Sequence, residues 1–195
     1  MSSSVESQTS SSSPSEQLLS VAVIVLRQAV DLVDNYLISD DQLTQHSQSI
    51  PGSTIGKHLR HARDHFLLLV DCMSLPEPHP LCYDVRVRNQ PMETSLQAAR
   101  TALEETIARL EEVVFSHGLE ERITLTAITP FSNVLQTTFG RELWFASLHC
   151  VHHWSMVRVV ASELGIQLTD DFGFAPSTLV FQGREGALGC NKAKI

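Results

Sequence analysis

Positive charge is scarce in this chain. Lys and Arg number 14 against 22 Asp and Glu, for a net charge of −8. That balance argues against nucleic acid as the main partner, because phosphate binding wants a basic face. It argues equally against docking on an anionic membrane. The four cysteines, Cys72, Cys82, Cys150 and Cys190, form no C-x-x-C pair. A zinc ribbon or thioredoxin-type motif is therefore unsupported, and free thiols in a reducing compartment are the expectation. The opening MSSSVESQTSSSSPSE holds no Arg or Lys, so neither a secretory signal nor a transit peptide is expected. The apolar run VAVIVL at 21–26 is far too short to span a bilayer. No internal repeat is evident, and no Ser or Cys stands out as a nucleophile. These absences lead us to expect a soluble, cytoplasmic protein with a disordered tail over 1–14.

The 195 residues suffice for one domain with a sizeable core. Four segments carry helical patterning. The first runs from about Ser15 to Ile38, opened by Pro14-Ser15-Glu16. The second begins in PGSTIGKHLRHARDHFLLLVDCM, with Ser53 or Thr54 as N-cap, and is stopped by Pro76, Pro78 and Pro80. The third is METSLQAARTALEETIARLEEVV, with Gly118 as its C-cap. The fourth runs from about Gly140 to Leu164 and ends at Gly165. Between the third and fourth, RITLTAITPFSNVLQTTF reads as two short strands around Pro130–Asn133. LCYDVRVR (81–88) is extended or loop. After Gly165 the chain is too rich in Gly and Pro for a helix, and 183–195 is expected to be a flexible tail. The fold class is thus all-α: a four-helix bundle over 15–182 with a small β-hairpin between helices three and four.

Histidine is the residue in excess, with nine copies, and the copies cluster. Relative to His149, steps of about 100° per residue put His153 at about 40°, Met156 at about −20°, Phe145 at about −40° and Val160 at about 20°. This reading centres the apolar stripe of helix four on His149 and His153, with His152 near its border. Two imidazoles four residues apart on an inward face can ligate one ion, and neutral imidazole suits Zn, Ni, Cu or Fe. The alternative is that each ring bonds a carbonyl or side chain of a neighbouring helix. A site needs a third donor, and helix two offers His58, His61 and His65. Periodicity puts His58 and His65 closer to the core and His61 toward the flank. Spacing alone does not choose among them.

STIGKHLRHARDHF and ELWFASLHCVHHWSMVRVVASELG resemble the two signature helices of the DinB/YfiT-like superfamily, up-and-down four-helix bundles with a three-histidine metal site. DFGFAPSTL and YDVRVR resemble a subgroup of it, and the likeness covers roughly 15–182. The family pattern sets a helix-two His about seven residues after a Ser/Thr start, and H-x-x-x-H a dozen residues before a Gly. The resemblance therefore implies His61, His149 and His153 as ligands, with His65 as the alternative. It also implies a divalent transition metal (Ni, Zn or Fe), and a low-molecular-weight thiol in some relatives.

Three neutral histidines leave coordination positions open, the layout of a site for chemistry. A metal-dependent hydrolase or a thiol transferase acting on a small molecule both fit. Glu142, on the inward face two turns before His149, is the candidate second-shell acceptor or base. Tyr83, Arg86 and Arg88 are candidates for binding a carboxylate-bearing substrate. Cys150 reads as a packed thiol off the stripe. Trp144 and Trp154 point away from the histidines, toward other helices or a dimer face, and a homodimer is expected. The competing readings are a metal-binding bundle without chemistry and a metal-free dimeric interaction module.

Overall fold

A computed structural model describes residues 12–184. Most of the two expected tails, and Cys190 with them, lies outside the described residues. The structure is mostly helical with one small three-stranded sheet. Each long helix starts on a side-chain cap. In α1 (Pro14–Asp31) Ser13 and Glu16 form a reciprocal capping box, with Pro14 in the first turn. Thr54 caps α3 (Ile55–Met73), Ser95 caps α4 (Leu96–Ser116) and Thr138 caps α5 (Phe139–Glu163), each accepting a first-turn backbone N–H. A one-turn helix, α2 (Asp41–Thr44), precedes α3.

The long helices pack pairwise. The α3 helix lies against α5 and α4, and α1 lies against the same two. Among the described residues, no helix is long and apolar enough to cross a membrane.

The small sheet pairs β2 (Arg122–Ala127) antiparallel to β3 (Asn133–Thr138), with Arg122 opposite Thr138 and Ala127 opposite Asn133. The hairpin read from the sequence is present. It gains a third strand, β1 (Pro80–Leu81), parallel to β2. Two residues, the first itself a proline, carry too little pattern for a strand to be legible. Asp84 ties the following loop to the hairpin turn, accepting from the Ile128 N–H at 2.8 Å and the Thr129 hydroxyl at 2.7 Å.

Several boundaries differ from the expectation. The first helix loses α-geometry at Leu32 and continues as a π-helical turn to Tyr36. The third begins at Leu96, after a 3-10 turn over Pro91–Glu93. Gly118 does not cap α4, which ends at Ser116 with His117 in extended conformation, drawn into a contact with Glu121. A short α6 (Pro176–Phe181) stands where no helix was expected. Its Pro176 occupies the first turn, where the missing N–H costs nothing.

The largest revision concerns α5. Its fully buried face is formed by Leu143, Ala146, Cys150, Trp154, Val157 and Ala161, centred about 100° from His149. The sequence reading centred that face on the histidines. Phe145 and Met156, which pulled it there, are only half-buried. Packing on both α1 and α3 moves the true centre to Cys150, so His149 and His153 lie on its border.

Gly56 marks the tightest contact near the site. A Cβ there would sit 2.2 Å from the Glu93 carbonyl oxygen. Gly56→Ala is expected to destabilise the fold by roughly 3 kcal/mol, the upper range for overpacking, seen as a lower urea midpoint with unchanged slope.

Candidate metal centre

Two helices bring the histidines together. His61 rises from the second turn of α3, and His149 and His153 face it from mid-α5. The Nε2 atom of His149 lies 3.0 Å from Nε2 of His61 and 3.1 Å from Nε2 of His153. Donor atoms of all three fall within 4.8 Å of one another. His153 is buried, and His61 and His149 are half-buried.

Hydrogen bonding alone does not satisfy this arrangement. The His149 nitrogen carries either a proton or a lone pair. With the proton it can donate to one neighbour only, and with the lone pair it can accept well from one only. One of the two close contacts is left without a good hydrogen bond. A cation shared by the three lone pairs would resolve the conflict. Two ligands about 2.1 Å from one ion stand roughly 3.0–3.4 Å apart, between right-angle and tetrahedral placement, which brackets the observed separations.

The surroundings keep the rings neutral. Burial, with lesser repulsion from other imidazoles, lowers the His149 pKa to about 4 and that of His153 to about 2. Burial likewise brings His58 and His65 down to about 4. Neutral imidazole is the ligating form.

This has a consequence for the metal-free protein. Unfolded histidine takes up its proton near pH 6.5, whereas these folded ones resist until about pH 4 or below. Between those values the unfolded chain binds more protons, so stability rises with pH. The stabilisation is whole above about pH 6.5 and drains away as the pH falls toward 4. Melting of chelator-treated protein should hold level from pH 7.5 to about 6.5 and then drop toward pH 4.5; a profile flat throughout would contradict the buried neutral rings.

His58 has a part that spacing did not reveal. Its Nδ1 lies 2.7 Å from Nδ1 of His153, and its Nε2 lies 2.5 Å from the Ser53 hydroxyl. If Nε2 of His153 offers its lone pair to an ion, its Nδ1–H must donate to His58. His58 then donates from Nε2 to Ser53, so one chain of contacts sets both tautomers. The sequence signal was Ser53 five residues before His58, on the approach to the same helix.

His65, the alternative ligand, is not among the three rings whose donor atoms converge. Its Nδ1 donates to the His61 carbonyl at 2.9 Å, and its ring stacks on Tyr83 at 4.7 Å. Glu142 is fully buried. It accepts from the Tyr83 hydroxyl at 2.9 Å, the Thr137 hydroxyl at 2.8 Å and Arg141 at 2.8 Å. Among the described residues no imidazole donates to it, contrary to the acceptor role expected. It reaches the cluster through Tyr83 stacked on His65, and through Arg141, which lies over the Phe145 ring stacked on His149.

Of the loop candidates, Arg86 points NH1 at Nε2 of His61 from 3.4 Å, and its buried Nε has no partner. Arg88 is exposed. Cys150 is fully buried, and burial pushes its thiol pKa well up. Trp154 is fully buried in the core, while Trp144 stays 40% exposed.

A cleft of about 330 Å³ opens onto His58, His61 and His153, bordered by residues 50–53 and by Lys57 and Arg60. Arg60 is held by Glu93 at 2.7 Å and Asp64 at 3.0 Å. The lip is tied down at the far end of α5: Glu163 accepts from the Ser47 hydroxyl and from the backbone N–H groups of Gln48 and Ser49.

A helical protein with a convergent histidine cluster compatible with metal binding is thus defined. The chain belongs to the DinB superfamily, whose family model matches residues 25–157. It is similar to FK506-binding protein 5 of Rhizopus delemar, with 30% identity over 164 residues, covering 83% of this chain and 37% of that protein. The chain therefore spans little more than a third of the length of this curated relative. No solved structure matches it.

Proposed function

We propose that the chain is an up-and-down DinB-type bundle that holds one divalent transition ion through His61, His149 and His153 and acts on a small anionic molecule in the adjoining cleft. The observation that carries this reading is the pair of Nε2 contacts at 3.0 and 3.1 Å, which a shared cation would satisfy together. An ion of the Zn, Ni or Fe type would supply Lewis acidity and would lower the pKa of a bound water or thiol.

The chain's own residues supply the rest. His58 and Ser53 orient His153. Lys57 and Arg60 border the cleft with positive charge, and Arg86 holds its NH1 3.4 Å from Nε2 of His61. These groups suit a carboxylate or thiolate, and the reaction class is hydrolysis or thiol transfer. The test is metal analysis of protein purified without a nickel column, followed by chelation and titration with Zn(II) or Ni(II). A tightly held equivalent lost in His149→Ala supports the reading; protein that retains no ion at low free metal overturns it.

A second reading is a dimeric interaction bundle. It rests on Trp144 and Leu148, one turn apart on the outer face of α5 and 40% and 38% exposed. Light scattering that finds a monomer at all working concentrations would remove it.

A further inference from the structure

A second group of donors lies at the opposite end of the long helices, and the function proposed above does not use it. His79 comes from the connector between α3 and β1. His117 follows the last turn of α4, and Glu121 immediately precedes β2. Donor atoms of the three lie within 4.8 Å of one another. Phe139, whose ring meets that of His117 edge-on at 6.3 Å, stands ten residues before His149 on α5, about 15 Å along the axis. The two clusters are separate.

The local geometry is compatible with an ion site. His79 is 5% exposed and takes a left-handed backbone, φ 25°. Its Nε2 lies 3.4 Å from Oε2 of Glu121, longer than an ordinary N–H···O bond. That is close to the roughly 3.3 Å between two ligands held tetrahedrally by one zinc-sized ion. The same carboxylate oxygen lies 2.8 Å from Nδ1 of His117. The other oxygen of Glu121 accepts from the Gly118 N–H at 2.7 Å, which fixes the carboxylate's orientation.

The three segments are already fastened by their backbones. Thr124 N–H reaches the His79 carbonyl at 3.2 Å, and Phe139 N–H reaches the Glu121 carbonyl at 2.9 Å. The donors are therefore positioned before any ion arrives. Two imidazole nitrogens and one carboxylate oxygen form the two-histidine, one-carboxylate set that suits borderline divalent ions.

We propose that His79, His117 and Glu121 form a second site, for a divalent transition ion of the zinc or iron(II) class, that staples the end of α4 to the α3–β1 connector and the small sheet.

The test uses full-length untagged protein, stripped with chelator and loaded with Zn(II) alone, with bound metal counted after desalting. Glu121→Gln and His117→Ala alter half-buried residues, and circular dichroism verifies the fold. The wild type should retain two equivalents, His149→Ala one, and His149→Ala with Glu121→Gln none. Zn(II) should raise the melting temperature of His149→Ala by several degrees, and that rise should vanish with Glu121→Gln or His117→Ala. A His149→Ala protein that retains no Zn(II), or that retains it regardless of Glu121 and His117, overturns the second site. A single wild-type equivalent removed by Glu121→Gln but untouched by His149→Ala would uphold it and refute the first.

Discussion

His149→Ala is expected to strip the protein of its ion at the first cluster. The His149 ring is the middle member, with its Nε2 at 3.0 Å from His61 and 3.1 Å from His153. Without it, two donors remain on two different helices with no ring to bridge them. Affinity for Zn(II) should fall by more than about 100-fold, beyond what loss of an orienting partner causes. Competition against a chromophoric chelator measures this. His58→Ala should fall in the lower range, roughly 10- to 100-fold, because it removes only the group that holds the His153 tautomer. His65→Ala should leave affinity nearly unchanged, since its nitrogens are not among the donor atoms that converge. If His65→Ala lost the ion while His61→Ala kept it, the ligand assignment would have to be exchanged.

Trp154→Ala should cost about 3–5 kcal/mol of stability, the range for emptying a large aromatic site. Trp154 is fully buried. Its indole N–H donates to the Val25 carbonyl of α1 at 2.8 Å, its ring stacks on Phe172, and Gly173 packs on its backbone. The substitution leaves a cavity where α1, α5 and the C-terminal segment meet. Denaturant unfolding measures the loss, and a change below about 1 kcal/mol would contradict the packing described. Because Trp154 directly follows His153, metal affinity should weaken in step with stability.

The histidines of α5 were legible because a pair spaced four residues apart shares a face whatever the helix packs against. The position of that face was not. Phe145 and Met156 drew the expected stripe toward the histidines, but contact with both α1 and α3 put Cys150 and Trp154 at its centre. Periodicity rightly set His65 deeper than His61, since His65 is 5% exposed and His61 half-buried, but His58, expected nearer the core, is half-buried as well. It had no means of telling which ring from the flank would meet α5, since that depends on how two helices approach. The cluster of His79, His117 and Glu121 left no trace in the reading. Its members come from a proline-rich connector, a helix end and a turn, where no repeat relates one residue to the next. Helix starts were the easiest part, because a Ser or Thr cap and its partner lie within four residues.

The α5 helix carries two of the converging rings, and through Glu163 it also grips the backbone of residues 48 and 49 beside the mouth of the cleft. One rod therefore governs both the histidine cluster and the doorway. A displacement that re-aimed the nitrogens would drag the entrance with it, so the chain has little freedom to widen access without also disturbing what lies at the bottom.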